Sequence, residues 1–150
     1  MRLYASLLRS LEALCGLLAA AVGADALILL VIDPAAYTGE HCESLPTSPP
    51  TPPVCTPLHA TFLAISGGTG VINLVIIAIM LLAIAGAAIW HAWRGSPRAR
   101  TVLWLATGAL AVYAFLSQLS IGTLLFPSVG LALLATLAAL WRAWSPAPAR

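Results

Sequence analysis

The stretch Val71–Ile89, VINLVIIAIMLLAIAGAAI, contains no charged residue, and Asn73 is its one strongly polar residue. Roughly 20 apolar residues in helical form are enough to cross the hydrocarbon core of a bilayer. A surface helix of a soluble protein carries polar residues along one face, whereas here every face is apolar. The segment therefore predicts a transmembrane helix.

The composition extends this prediction to the whole chain. Of its 150 residues, 61% are hydrophobic and only 8% are charged, against about 25% charged in a typical soluble domain. So few charges cannot cover a water-facing surface. We therefore expect residues 1–150 to form a single membrane domain, with membrane lipids around it and no nucleic-acid-binding surface.

Three more apolar stretches complete the predicted fold. The class is all-α, an integral membrane bundle of four transmembrane helices, with spans at about 11–32, 71–90, 102–119 and 124–141. Gly67-Gly68-Thr69-Gly70 predicts a break or a close helix contact before the second span, because glycine weakens a helix. Pro127 is expected in the first turn of the last span. A cleaved signal peptide is the alternative for the first span, but its apolar run continues through Leu27–Ile32, which favours a retained helix.

Basic residues predict the orientation. All seven are arginines, and in the four-span arrangement they fall on one side, at 2, 9, 94, 98, 100, 142 and 150. Asp33, Glu40 and Glu43 fall on the other side. Because basic residues are retained in the cytoplasm, both termini and loop 91–101 are expected to be cytoplasmic and loop 33–57 external. The use of Arg and no Lys, together with abundant Ala, Leu and Pro, suggests the inner membrane of a bacterium.

The external loop holds two of the three cysteines. It is rich in proline, which disfavours helix and strand and favours an extended path. Outside the cytoplasm thiols oxidise, so Cys42 and Cys55 are expected to form a disulfide that closes this loop. A weaker alternative adds His41 and His59 to the two cysteines as a zinc or copper site. The quinone-coupled disulfide-forming enzymes are excluded, because the second external connection has no cysteine.

Asp25 is the acidic residue that lies well inside a predicted span, where an ionisable group is costly and suggests function. Counting along each helix from its basic end places Asp25, Asn73 and Gln118 at a similar depth. These three residues are predicted to form an intramembrane polar cluster. Its two interpretations are a set of interhelical hydrogen bonds and a site for a proton or cation.

Other side chains suggest contacts at the basic end. Arg9 and Glu12 lie three residues apart and are predicted to pair along one helix. His91 is the candidate for binding a haem or chlorophyll; no other cofactor is indicated. Small residues four apart predict close helix packing, at Gly16/Ala20, Ala19/Gly23, Ala83/Ala87 and Ala135/Ala139.

A short repeat links the second and fourth spans, which end in AIWHAW (88–93) and ALWRAW (139–144). A duplicated helical hairpin would explain the resemblance. Two interfacial tryptophan anchors that arose separately would also explain it, because indole rings prefer the membrane boundary.

No catalytic motif is visible, so the chain is not expected to be an enzyme. The function predicted first is that of a non-catalytic accessory or structural subunit of a larger membrane complex, with other transmembrane subunits as partners. The alternative is a small oligomeric ion or solute transporter or channel that uses Asp25. A third interpretation is a redox- or pigment-binding membrane subunit.

Overall fold

The computed structural model describes the backbone at residues 2–33, 38–43, 54–59, 61–117 and 121–144, and the side chains at 6–33, 61–117 and 121–144. Within these ranges the chain forms four helices and two strands. In chain order they are α1 (Arg2–Ile32), β1 (Thr38–Glu43), β2 (Val54–His59), α2 (Phe62–Arg94), α3 (Pro97–Leu116) and α4 (Gly122–Trp144).

All four helices are long and apolar enough to span a membrane. The membrane-crossing candidates run over Ser6–Ile32, Phe62–Arg94, Pro97–Leu116 and Gly122–Trp144, with mean hydropathies between 1.5 and 2.8. This result confirms the predicted number of apolar spans and is compatible with a multi-pass membrane protein.

The helices form an antiparallel bundle in which α1 packs on α2 and α4, and α3 packs on the same two helices from the other side. The centre is filled by aliphatic side chains and alanines, including Leu30, Ile77, Leu103, Leu110 and Leu125. Because each helix runs opposite to the next, the start of α1, the end of α2, the start of α3 and the end of α4 share one end of the bundle. The described arginines all lie there.

Two glycines set the register of α1 against α2. A Cβ atom added to Gly16 would stand under 3.0 Å from the Cβ of Ala88, and one added to Gly23 would meet the side chain of Leu81 as closely. The backbones can approach this closely only because the side chains are absent. Small residues therefore pack the helices together, as their spacing predicts.

Helix α2 contains the break that the glycine cluster predicts. Gly67 has φ 56° and ψ −139° inside an otherwise helical run, a conformation that favours glycine. Thr61 caps the start of α2, where its hydroxyl accepts the N–H of Ala64 at 3.3 Å. Gly95, with φ 63°, ends the helix by donating its N–H to the carbonyl of His91 at 2.8 Å.

The start of α4 differs from the prediction. The helix begins at Gly122, two residues earlier than expected, so Pro127 lies beyond its first turn. There it cannot donate to the carbonyl of Thr123. Gly122 itself is packed so tightly that an added Cβ would overlap the carbonyl oxygen of Ala114, which explains why the helix begins at a glycine.

The proline-rich connection contains regular structure that the sequence did not predict. β1 and β2 pair as an antiparallel hairpin, with Cys42 opposite Cys55 and Glu40 opposite Pro57. A two-stranded sheet consists of edge strands alone, and at an edge a proline can occupy a position that needs no N–H donor. The prediction that proline density would exclude strands is therefore wrong for these two segments.

Candidate functional site

The most polar site in the described bundle is a buried ion-pair cluster at its arginine-rich end. The carboxylate of Glu12 is fully buried, with 0% exposure. Its Oε1 lies 2.6 Å from Nδ1 of His91, and its Oε2 lies 2.5 Å from a guanidinium nitrogen of Arg142. One carboxylate thus joins α1, α2 and α4; we call these three residues the Glu12 triad.

Hydrogen-bonding capacity decides the roles within the triad. A carboxylate that receives an arginine N–H offers acceptors on both of its oxygens. The Nδ1 atom of His91 is therefore the donor to Glu12, which fixes the orientation of the imidazole ring. Glu12 is fully buried, so a substrate would have to displace these helices to reach its carboxylate.

The pair predicted between Arg9 and Glu12 is wrong. Arg9 is exposed on α1, whereas Glu12 turns into the bundle and bonds to two other helices. In a low-dielectric interior a carboxylate needs charged or hydrogen-bonding partners, and the tertiary structure supplies two of them from elsewhere in the chain.

Sequence reasoning missed the Glu12 triad, although a signal was present. Each of its members continues a stripe of small residues at helical spacing: Glu12 lies four before Gly16, His91 four after Ala87, and Arg142 three after Ala139. Residues three or four apart share a helix face. The stripes that predict close packing therefore also indicate which polar residues face the bundle interior.

Three hydroxyl groups add further ties between helices. Thr107 of α3 and Thr136 of α4 are buried and lie 3.1 Å apart through their hydroxyl oxygens. Ser128 of α4 donates to the carbonyl of Ala19 on α1 at 2.5 Å. Among the described side chains, every buried nitrogen or oxygen has a hydrogen-bond partner. The polar interior of the bundle is thus used to hold helices together.

The residues of the predicted intramembrane polar cluster lie apart or outside the described region. Asp25 is exposed on the outer face of α1, and Asn73 is half-buried on α2. The Gly23–Leu81 contact places Asp25 level with about residue 79, so Asn73 lies roughly 9 Å further along the bundle axis. Gln118 lies outside the described residues, so its part of the cluster stays a prediction.

The difference in depth arises from the choice of reference points. The predicted depths count Asp25 from Arg9 and Asn73 from Trp90, which requires these two reference residues to lie at the same level. The Gly16–Ala88 contact shows that Trp90 instead lies level with about residue 14. Counting from the end of α2 therefore placed Asn73 too close to the arginine-rich end of the bundle, and so at the level of Asp25.

Among the candidate ligands of a cofactor or metal, the structure describes the side chain of His91. The His91 side chain is 5% exposed, so it offers little open surface to a planar macrocycle. The side chains of His41, Cys42, Cys55 and His59 lie outside those described, so the metal alternative stays a prediction. Cys15, which is described, is buried and free.

An apolar groove of about 330 Å³ lies beside the Glu12 triad, between α1 and α4. Its walls include Leu8, Leu11, Leu134, Leu137 and Trp141. Such a lining suits a lipid acyl chain, and the thiol of Cys15 is its one ionisable group. The groove is open to the outside of the bundle, where membrane lipids would lie.

Comparison of the chain with protein-family models, with curated proteins and with solved structures gave no match.

Proposed function

We propose that this protein is a non-catalytic accessory or structural subunit of a larger membrane complex. The observation that carries the proposal is the Glu12 triad. This cluster has the groups that acid–base chemistry would need, but both oxygens of Glu12 are engaged in joining three helices. The arrangement favours a rigid module whose interior is structural.

The other buried polar contacts support the same proposal. The Thr107–Thr136 and Ser128–Ala19 hydrogen bonds connect α4 to α3 and to α1. Polar bonds across membrane helices contribute about 0.6 kcal/mol each on average. Together with the close glycine contacts, they favour a bundle that keeps one conformation, as a scaffold requires and a transporter does not.

The transport alternative receives less support. A path through one chain would need Asp25 to line the interior, and Asp25 lies on the outer face of α1. A pigment-binding role would need access to His91, which the surrounding helices cover. Each alternative would therefore require further chains to build its site.

Purification under gentle conditions tests the proposal. The full chain with an affinity tag is extracted in a mild detergent and analysed by mass spectrometry and an absorption spectrum. We expect other membrane proteins at a fixed ratio and no visible absorption from this chain. Mixing tagged and untagged membranes before extraction controls for association after lysis. A monodisperse particle of this chain alone would overturn the proposal.

We further propose that both termini face the cytoplasm. Arg9, Arg94, Arg98, Arg100 and Arg142 lie at one end of the bundle, and Asp33 lies at the other. The enrichment of arginine in cytoplasmic segments favours this orientation, and anionic headgroups on that side attract the same charges. The composition favours the inner membrane of a bacterium as the location.

The hairpin supports the proposal that Cys42 and Cys55 form a disulfide. They are direct partners in the antiparallel register, and so are Glu40 and Pro57, two positions away. A hydrogen-bonded pair exchanges two N–H···O bonds. Because Pro57 has no N–H, the Glu40–Pro57 pair suits a non-hydrogen-bonded position. The two kinds of pair alternate along the strands, so Cys42 and Cys55, two positions away, also form a non-hydrogen-bonded pair. The Cα atoms of such a pair lie about 4.5 Å apart, within the range of roughly 4.4–6.8 Å that disulfides span.

A further inference from the structure

Asp25 is the described carboxylate that lies within a span and yet faces away from the bundle. Its neighbours Gly23 and Ala26 are buried, whereas Ala21, Ala24 and Asp25 are exposed. In the described part of the chain, no hydrogen bond or ion pair reaches the Asp25 carboxylate. The residue therefore presents an unpaired acid on the lipid-facing side of α1.

The depth of Asp25 makes this position costly. It lies seven residues before Ile32, where α1 ends, which corresponds to about 10 Å along the helix axis. Ionisable residues in membrane spans almost always face a bundle interior or a water-filled cavity, and they pair with another polar group. An outward Asp25 therefore indicates that something else covers this face.

Glu12 shows how the same helix treats its other intramembrane carboxylate. That group is buried and receives donors from His91 and Arg142. It lies 13 residues before Asp25, about 20 Å away along α1. The spans offer no basic partner of this kind to Asp25. In the half of the bundle where Asp25 lies, none of the four helices has an arginine or lysine.

A second copy of this chain does not supply the missing base. Copies inserted in one membrane share one orientation, so their arginines would gather around Arg142 and leave the level of Asp25 without a cation. Two copies meeting through α1 would instead place one Asp25 beside the other, and like charges in a low-dielectric site repel. Charge complementarity therefore favours a different protein.

We propose that the outer face of α1 around Asp25 docks a transmembrane helix of a different protein, which carries an arginine or lysine at the level of Asp25. This inference rests on the proposed role as an accessory subunit and names its partner by chemistry. The basic side chain of the partner pairs with the Asp25 carboxylate and removes the cost of its exposure to lipid.

The surface next to Asp25 suits a helix. Exposed residues recur at Leu14, Leu18, Ala21, Asp25 and Ile28, with alternating spacings of four and three. This spacing keeps one face turned toward a neighbour that crosses at a small left-handed angle. Ala21, together with the adjacent Ala24, lets the backbone of the partner approach closely.

Site-specific photo-crosslinking in intact cells tests the proposal. A photoreactive amino acid replaces Ile28, which is 55% exposed on the same face as Asp25, in the full-length chain, and the control replaces Leu105, which is 70% exposed on α3. Crosslinked peptides are sequenced by mass spectrometry. We expect position 28, and not position 105, to capture a transmembrane segment of another protein with an arginine or lysine close to the depth of Asp25.

The Asp25→Asn variant supplies the second measurement, because it keeps the size of the side chain and removes its charge. We expect about threefold less crosslinked partner, the fold-change that corresponds to the average polar contact between membrane helices. A circular dichroism spectrum equal to that of the wild type shows that the bundle is intact. The conservative variant Asp25→Glu should restore most of the crosslinking.

The outcomes separate this inference from the proposed function. Capture of this chain itself, of lipid alone, or of a helix without a basic residue would overturn the docking proposal. Partners that co-purify equally with the wild type and Asp25→Asn would overturn it too, while leaving the accessory role intact. If neither protein brings partners in mild detergent, the accessory role fails and the docking proposal fails with it.

Discussion

Glu12 and His91, 79 positions apart in the chain, meet in the bundle interior through a 2.6 Å contact between carboxylate and imidazole. Arg142 completes the site from a third helix. Removing any one member of the Glu12 triad would leave the other two buried without their partner, which is strongly unfavourable. The cluster therefore favours the arrangement of helices that keeps all three residues together.

The Glu12→Ala variant is expected to be strongly destabilised. It would leave His91 and Arg142 buried without their shared acceptor, and breaking a buried pair costs about 3–5 kcal/mol. The free energy of unfolding can be measured by titration with a denaturing detergent, with tryptophan fluorescence as the signal for unfolding. Arg9→Ala is the matched control, and its effect should stay within about 0.5 kcal/mol because Arg9 is exposed. Equal effects of the two variants would contradict the Glu12 triad.

Gly16→Ala should weaken the contact between α1 and α2. The new methyl group would collide with Ala88, and overpacking of this kind costs about 1–3 kcal/mol. Ala88→Gly in the same chain should recover most of the loss, which a double-mutant cycle measures. Gly86→Ala on α2 is the control, because nothing lies within 4 Å of an added Cβ there. An absence of coupling between positions 16 and 88 would show that the helices pack differently.

Neighbouring glycines in the α2 break should respond differently to alanine. Gly67 has φ 56°, whereas Gly68 does not have a positive φ, and neither has a neighbour within 4 Å of an added Cβ. Gly67→Ala should therefore cost about 1–3 kcal/mol through backbone strain, and Gly68→Ala should be neutral or stabilising. Thermal unfolding in detergent provides the comparison. Equal melting temperatures for the two variants would place the kink elsewhere.

The proposed disulfide predicts a count of reactive thiols. The chain has three cysteines, so the denatured, unreduced protein should take up one mass-tagged maleimide, at Cys15, and three after reduction. Cys42→Ser should raise the unreduced count to two, because Cys55 loses its partner. Three tags on the unreduced wild type would exclude the bond.

The proposed orientation predicts opposite accessibility for two engineered cysteines. Cysteine at position 98, in place of arginine, should react with a membrane-impermeant maleimide only after cells are opened. Cysteine at position 43, in place of glutamate, should react in intact cells. Both are made in a chain whose native cysteines are replaced by serine. Labelling of both positions from the same side would reject the orientation.

Much of the fold follows from local patterns in the sequence. The four apolar spans were predictable because the length of an apolar run is compared directly with the thickness of a bilayer. The break at Gly67 was predictable because glycine clusters weaken a helix wherever they occur. The β1–β2 hairpin was not, because pairing between Thr38–Glu43 and Val54–His59 depends on a contact between distant segments.

The candidate site, by contrast, could not be predicted from local patterns in the sequence. Pairing Glu12 with Arg9 was the natural expectation from spacing along one helix, since residues three apart are neighbours there. The bundle instead turns Glu12 inward and Arg9 outward. The partner of a side chain depends on which face of the helix is buried. The stripe of small residues that Glu12 continues indicates the buried face, but the residues that Glu12 meets there depend on which helices pack against it.

The sequence by itself determined how many apolar helices this protein has and where the second helix bends, because hydropathy and backbone preference act locally along the chain. The tertiary structure alone decided that Glu12 bonds to His91 and Arg142, and that Asp25 faces outward at a different level from Asn73. Those relationships depend on the register between helices, which is set by the contacts of Gly16 and Gly23 across the α1–α2 interface.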